Sequence, residues 1–380
     1  MISCDLFFGA LKTEGVTFFS GVPDSLLKDI CAYITDHSDP RNHVIAANEG
    51  AALALASGSY LATGRPGVVY LQNSGLGNLV NPLTSLTDPE VYSIPALLLI
   101  GWRGEPGVHD EPQHRKQGRV MLATLDAMEI PYAVLPTNEG DAVATVAKAM
   151  ATIRDRSAPF ALVVQKGTFV PYKLRNKAPD ISTFRREDAL KQVLDTLSSG
   201  DVVVSTTGMT SREVFEYREA TQAGHARDFL TVGCMGHASQ IAMGVAVEKP
   251  DRLVYCLDGD GAVLMHMGSL AIIGASKLEN FRHVVVNNGA HDSVGGQPTV
   301  GFEADIPAIA RACNYRWSRS TSTPAEIPGL LAALRTATGP ALLEIKVGKG
   351  SRPDLGRPTT SPQDNKRDFM ENLGVLAGSR

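Results

Sequence analysis

The stretch Leu253-Val254-Tyr255-Cys256-Leu257-Asp258-Gly259-Asp260-Gly261 decides the fold. Five apolar residues stop abruptly at alternating carboxylates and glycines, and apolar positions then recur at helical spacing through Met265, Leu270 and Ile273. A short apolar run that feeds a helix through a glycine turn is the building unit of a parallel α/β sheet. Outward from it, further strands are expected near 201–205, 282–287 and 341–347, and the first half has the same rhythm at 16–19, 43–46, 67–71, 96–100 and 160–165. Leu26, Leu27, Ile30, Cys31 and Ile34 recur as a helix directly after the turn 21–25. Each half closes on a similar string, Pro159-Phe-Ala-Leu-Val-Val-Gln-Lys-Gly167 and Pro340-Ala-Leu-Leu-Glu-Ile-Lys-Val-Gly348. The expected class is therefore α/β, with two similarly built, doubly wound parallel-sheet domains at 1–167 and 184–348. The linker 168–183 has neither period and holds Pro171, Lys173, Arg175, Lys177 and Pro179. An arm at 349–380 follows, in which Pro353 and Pro358 oppose regular structure and Ser361-Pro362 caps a short helix.

Bulk properties narrow the function classes. A chain of 380 residues with 43% hydrophobic and 20% charged residues has enough apolar material for two cores and is neither disordered nor fibrous. Its formal net charge of -4 is spread over mixed acidic and basic residues, which leaves no electrostatic footprint for nucleic acid. Cys4, Cys31, Cys234, Cys256 and Cys313 are scattered without a CxxC pair and mostly within apolar runs, the pattern of reduced, buried thiols in a cytosolic protein. No export signal opens the chain and no apolar run approaches about 18 residues, so a cytoplasmic location away from membranes is expected.

The turn at 258–261 also carries chemistry. It places the carboxylate of Asp260 at a strand end, while the strand through Val284, Val285 and Val286 ends in Asn287-Asn288-Gly289 and brings an amide oxygen to the corresponding edge. Asp260 and Asn288 can thus face one hard cation such as Mg²⁺, which takes one or two protein oxygens and completes its shell with phosphates. Gly259 and Gly261 let the backbone approach a diphosphate, and the helix start favours its charge.

Gly-Asp-Gly, an apolar helix, a strand and Asn-Asn-Gly at this separation resemble the signature of the thiamine diphosphate-dependent decarboxylase family. The resemblance implies a diphosphate-side domain in the second half and a pyrimidine-side domain in the first, with no domain between them. It implies that Gly259, Asp260, Gly261, Ala262 and Asn288 meet the cofactor, and that Asp260, Asn288 and the Ala290 carbonyl hold Mg²⁺. The asparagine spacing, one residue looser than in some relatives, leaves Asn287 as the alternative ligand. Glu49, in Asn48-Glu49-Gly50-Ala51-Ala52, takes the position of the glutamate that hydrogen-bonds the aminopyrimidine ring; by itself it would read as a helix-start carboxylate favoured by the dipole. Thr231-Val-Gly233-Cys-Met235-Gly-His237 resembles the segment under the cofactor, Gly233 offering a carbonyl and Met235 propping the rings, although a methionine is more often core filler. Thr207, Gly208 and Met209, after a strand and opening a helix, are expected to cradle the diphosphate or to form an ordinary capping turn.

Longer strings are similar to those of the phosphonopyruvate decarboxylase family: Ser20-Gly-Val-Pro-Asp-Ser25, Gln72-Asn-Ser-Gly-Leu-Gly-Asn78, Trp102-Arg-Gly-Glu-Pro-Gly107, Asp110-Glu-Pro-Gln-His114 and 287–298. The resemblance implies decarboxylation of 3-phosphonopyruvate to phosphonoacetaldehyde in phosphonate biosynthesis, and a homo-oligomer, at least a dimer, with active sites at the subunit interface. Asp24, Ser25 and His114 are catalytic candidates by position, with a helix cap and a surface histidine as the alternatives. A dianionic phosphonate calls for fixed positive charge, for which Arg103, Lys116, Arg352 and Arg357 are the candidates. His291 and Ser293 follow the cation loop without an assigned role. The rival substrate is sulfopyruvate, and a more distant rival activity is keto-acid carboligation. A nucleotide-binding regulatory module is the reading from another class; the absence of GxGxxG and GxxxxGK[ST] at the strand-to-helix turns speaks against it.

Overall fold

The computed structural model describes residues 1–176 and 180–376; Lys177 and Pro179 of the expected linker and the last four residues of the arm lie outside the described residues. The chain divides into two compact units, Met1–Lys177 with Ser293–Gln297, and Ala178–Asp292 with Pro298–Arg380.

The first unit holds six parallel strands, β1 (Phe19–Gly21), β2 (His43–Ile45), β3 (Gly67–Gln72), β4 (Ala96–Gly101), β5 (Tyr132–Val134) and β6 (Phe160–Val164), in the order β2-β1-β3-β4-β6-β5. Its central strands are apolar on both faces because both are covered. Val68, Tyr70, Leu97 and Leu99 pack into one buried cluster, and their neighbours Val69, Leu71, Leu98 and Ile100 pack into another. The second unit holds β7 (Val202–Ser205), β8 (Asp228–Leu230), β9 (Val254–Gly259), β10 (Phe281–Asn287), β11 (Trp317–Thr321) and β12 (Ala341–Lys346), in the order β11-β12-β10-β9-β7-β8. Counted within its own unit and read from the opposite edge, this is the strand order of the first sheet, so the similar closing strings mark equivalent strands, β6 and β12. The class expected from the sequence holds: two doubly wound parallel sheets, with helices on both faces.

Some local expectations need correction. The strand expected at 16–19 starts later, because Gly15, at φ +86°, turns the chain and the Val16 N–H closes the helix Cys4–Thr13 on the Leu11 carbonyl at 3.0 Å. The helix expected from the turn 21–25 begins only at Lys28. After Gly261 the helical pattern is broken into Asp260–Met265 and Ser269–Ser276, with His266 at φ −134° leaving the helix. Cys4, Cys31 and Cys256 are buried as expected, but Cys234 is exposed and Cys313 half-buried. The capping serine is in place: Ser361 accepts from the Asp364 N–H and opens the helix Pro362–Asn372. Among the described residues no helix is long and apolar enough to cross a membrane.

Candidate functional site

In both units the candidate residues gather where ligands bind in open α/β sheets, beyond the carboxyl ends of the strands. In the first unit Asp24 follows β1, Glu49 follows β2, the 72–78 segment follows β3 and Arg103 follows β4. In the second, Thr207 follows β7, Gly233 follows β8, Asp260 follows β9 and Asn288 follows β10. The equivalent strand ends are used in each.

Glu49 is the first residue of the helix Glu49–Thr63, whose N-cap is the Asn48 side chain accepting from the Ala51 N–H at 2.9 Å. It is 6% exposed, far from the solvated helix-start glutamate of the alternative reading. Its Oε2 accepts from Asn78 Nδ2 at 2.6 Å, and it lies so close over Gly75 that a Cβ there would stand 2.3 Å from Oε1. The 72–78 string is therefore the wall of the glutamate's niche.

Beside it, Asp24 is fully buried, with Oδ2 accepting from the Leu26 N–H at 2.9 Å and Oδ1 without a hydrogen-bond partner. Burial pushes its carboxyl up from 3.8 to about 6, against the opposing pull of the Leu26 N–H and the Arg103 charge. Arg103 is forked onto Asp110, its Nε 2.8 Å from Oδ2, and its Nη1 donates to Ser25 Oγ at 2.6 Å. Asn73 fixes the same arginine by its backbone, accepting from the N–H at 3.2 Å and donating to the carbonyl at 2.8 Å. Asp24, Ser25 and Arg103 thus form one cluster. His114 is buried in the helix Pro112–Ala127, contrary to the surface alternative, whereas Lys116 on that helix is exposed.

In the second unit Asp260 is 2% exposed and has no basic partner among the described residues. Burial raises its carboxyl from 3.8 to about 6, opposed by the Thr299 hydroxyl and by the backbone N–H groups of Asn288, Asp260 and Gly261. Gly301 passes between Asp260 and Asn287: a Cβ there would lie 2.5 Å from Asp260 Oδ2 and 2.7 Å from Asn287 Oδ1. The two asparagines are used differently. Asn287 donates to the Gly301 carbonyl and to Glu344, each at 2.7 Å, and accepts from the Gly289 N–H at 3.0 Å, which ties the loop to β12. Asn288 donates to Asp292 Oδ2 at 2.6 Å and accepts from the Ala290 N–H at 3.1 Å. His291 and Met235 converge on Gly261, where a Cβ would meet His291 Cε1 at 3.1 Å and Met235 Cε at 3.3 Å, and desolvation lowers the imidazole to about 4. Ala262 is buried beside them, and Ser293 is exposed.

The two remaining segments meet directly, since the Gly233 N–H donates to Thr207 Oγ1 at 3.0 Å. Gly208, at φ +95° and ψ −138°, occupies a region closed to side chains and sets up the helix Met209–Ala220. Arg352 is surrounded by carboxylates, with Glu187 at 3.1 Å, Asp354 at 2.9 Å and Glu216 in contact; Arg357 is exposed. Sequence reasoning passed over Asn78, Asp110, Thr299, Gly301 and Asp292. Asn78 acts from the helix Leu76–Leu86 and the others from turns and loops without periodicity; the quoted strings 72–78, 110–114 and 287–298 contain Asn78, Asp110 and Asp292 without assigning them a role. A separate buried group, Cys256, Asp258 and His283, has ligand atoms within 4.8 Å of one another. Its sulfur and nitrogen donors suit a softer metal than the all-oxygen surroundings of Asp260.

Residues 3–130 match the family model described as thiamine pyrophosphate enzyme, N-terminal TPP binding domain, and residues 206–345 match thiamine pyrophosphate enzyme, C-terminal TPP binding domain. The chain is 36% identical over 383 residues to a phosphonopyruvate decarboxylase of Streptomyces viridochromogenes, covering 97% of this chain and 94% of the relative. It is 35% identical over 386 residues to the phosphonopyruvate decarboxylase of Streptomyces hygroscopicus, covering 98% and 94%. To the sulfopyruvate decarboxylase of Methanosarcina acetivorans it is 24% identical over 406 residues, covering 96% of each chain.

Proposed function

Because this chain belongs to the thiamine pyrophosphate enzymes, as a decarboxylase, we propose that it converts 3-phosphonopyruvate to phosphonoacetaldehyde and carbon dioxide, with Mg²⁺ carrying the cofactor's diphosphate. The observation that carries the reading is the pair of buried carboxylates, Glu49 and Asp260, each at the carboxyl edge of its own sheet and each without a cationic partner among the described residues. A buried carboxylate of this kind is costly unless a ligand completes it.

The residues of the second unit fit a magnesium diphosphate. Asp260 offers a buried carboxylate with no cationic partner among the described residues, and Thr206 offers a buried hydroxyl without a hydrogen-bond partner. Gly208 lets the backbone come close at the start of a 12-residue helix. Asp260, Asn288 Oδ1 and the Ala290 carbonyl would hold the cation. Asn287, whose Nδ2 ties the loop to Gly301 and Glu344, is the alternative ligand, because its Oδ1, like that of Asn288, accepts one backbone N–H. Gly233 and Met235 would support the rings from below, and Glu49 would meet the aminopyrimidine.

When bound, thiamine diphosphate supplies the electron sink that allows the bond between C1 and C2 of the keto acid to break. Asn78 holds Oε2 of Glu49, and Oε1 would be the atom that moves a proton when the cofactor is bound. Carbon dioxide leaves, and a proton takes its place on C2. Asp24, Ser25 and His114 would orient the substrate and deliver that proton. Arg103, hydrogen-bonded to Ser25 and close enough to Asp24 to act on its charge, is the preferred basic candidate, whereas the charge of Arg352 is met by three carboxylates. Phosphonate biosynthesis is the setting this reaction implies.

The test is carbon dioxide release from phosphonopyruvate, sulfopyruvate and pyruvate side by side, with thiamine diphosphate and Mg²⁺ supplied or chelated away. Release that needs both and is fastest with phosphonopyruvate is the expected result. A preference for sulfopyruvate would keep the reaction and overturn the substrate.

A further inference from the structure

We propose that Asp292 is a positioning residue for the cation loop: it fixes the amide of Asn288 with its oxygen free to face the metal. The proposal rests on the reading of Asp260 and Asn288 as cation ligands.

The two ends of an asparagine amide have nearly the same shape, so its hydrogen bonds decide which end points where. An ionised carboxylate only accepts. The amide atom 2.6 Å from Asp292 Oδ2 therefore has to be Nδ2, and Oδ1 is turned the other way. Oδ1 receives one neutral hydrogen bond, from the Ala290 N–H at 3.1 Å, and keeps a lone pair for a cation.

Asp292 is itself immobilised from three directions. Its Oδ2 accepts from Asn288, from Arg186 Nη1 at 3.2 Å and from the Gly350 N–H at 2.9 Å. Arg186 is buried and forked onto Glu213, with Nε at 2.8 Å and Nη2 at 3.0 Å. The loop, the start of the helix Arg186–Asp195 and the first residues of the arm thus meet on one oxygen. Three donors fill Oδ2, and it is through Oδ2 that Asp292 reaches Asn288. Without it, Nδ2 loses its acceptor, and a flipped amide would turn N–H groups toward the cation. Hydrogen-bond partners of metal ligands are typically worth about 10–100-fold in metal affinity.

The experiment is a calorimetric titration of Mg²⁺ into each protein at saturating thiamine diphosphate, for wild type, Asp292→Ala, Asp292→Asn, Asn288→Ala, the Asn288→Ala/Asp292→Ala double variant and Asp260→Ala. Asp292→Ala is expected to raise the Mg²⁺ Kd about 10–100-fold while circular dichroism stays as in wild type. Asp292→Asn, which retains an acceptor oxygen and keeps the fold if the alanine variant does not, should fall between the two. In the Asn288→Ala background the same change should shift Kd less than about twofold, since the effect has to pass through that amide. An unchanged Kd in the two Asp292 single variants, or additive losses in the double variant, would overturn the positioning role alone. Wild-type Mg²⁺ affinity in Asp260→Ala would overturn the ligand assignment and the proposal with it.

Discussion

Glu49, the carboxylate proposed to move a proton to the cofactor, shows how much is decided at a single position. Its carboxylate is buried, held by Asn78 and seated on a glycine that no other residue can replace without moving it. Glu49→Gln keeps the shape and removes the proton exchange, so carbon dioxide release should fall to background while the circular dichroism spectrum is retained. Gly75→Ala should lower turnover at least about tenfold by displacing the carboxylate, since sub-ångström misplacement of a catalytic group is expensive. Asp24 makes a prediction about pH. Its folded value of about 6 lies above the ordinary 3.8, so the folded protein holds the proton more tightly than the unfolded chain. The corresponding stability is fully present below pH 3.8 and is lost as pH rises through about 6. The difference amounts to roughly 3 kcal/mol. Asp24→Asn keeps an oxygen for the Leu26 N–H and should raise the urea midpoint at about pH 8, with a gain that fades as the acid protonates.

At the scale of elements, the strands that sequence reasoning missed share a physical cause. β5, β8 and β11 are all edge strands of three to five residues, and none of them is buried along its whole length. A central strand covered on both faces writes itself as an apolar run; an edge strand does not. β8 is instead completed from the arm. In the helix Pro362–Asn372, Asn365 Oδ1 accepts from the Leu230 N–H at 3.0 Å and Nδ2 donates to the Asp228 carbonyl at 2.7 Å, so one side-chain amide pairs as a neighbouring strand would. Asn365→Ala should strip protection from the Leu230 amide in hydrogen exchange and cost about 1–3 kcal/mol, because two buried backbone groups lose their partners.

At the scale of the whole molecule, two sheets of one strand order carry polar groups at equivalent strand ends, among them Asp24 and Glu49 in the first unit and Asp260 and Asn288, the proposed cation ligands, in the second. The proposed active form is a homo-oligomer, and sedimentation at micromolar concentration should find at least a dimer, with turnover per chain lost on dilution to monomers; full activity in a monomer would remove that proposal. The sequence by itself determined the class of fold, the repeated architecture and the positions of Glu49, Asp260 and Asn288, because buried parallel strands are apolar runs and the turns after them must spell out their polar residues in order. Only the tertiary structure decided that Asn287 is spent on Gly301 and Glu344, that Arg103 is paired with Asp110, and that Asp292 gathers Asn288, Arg186 and Gly350. Some of these partners lie more than a hundred residues apart, on strands, a helix and loops alike, and a hydrogen bond between segments so distant in sequence exists only once the fold has fixed where each of them runs.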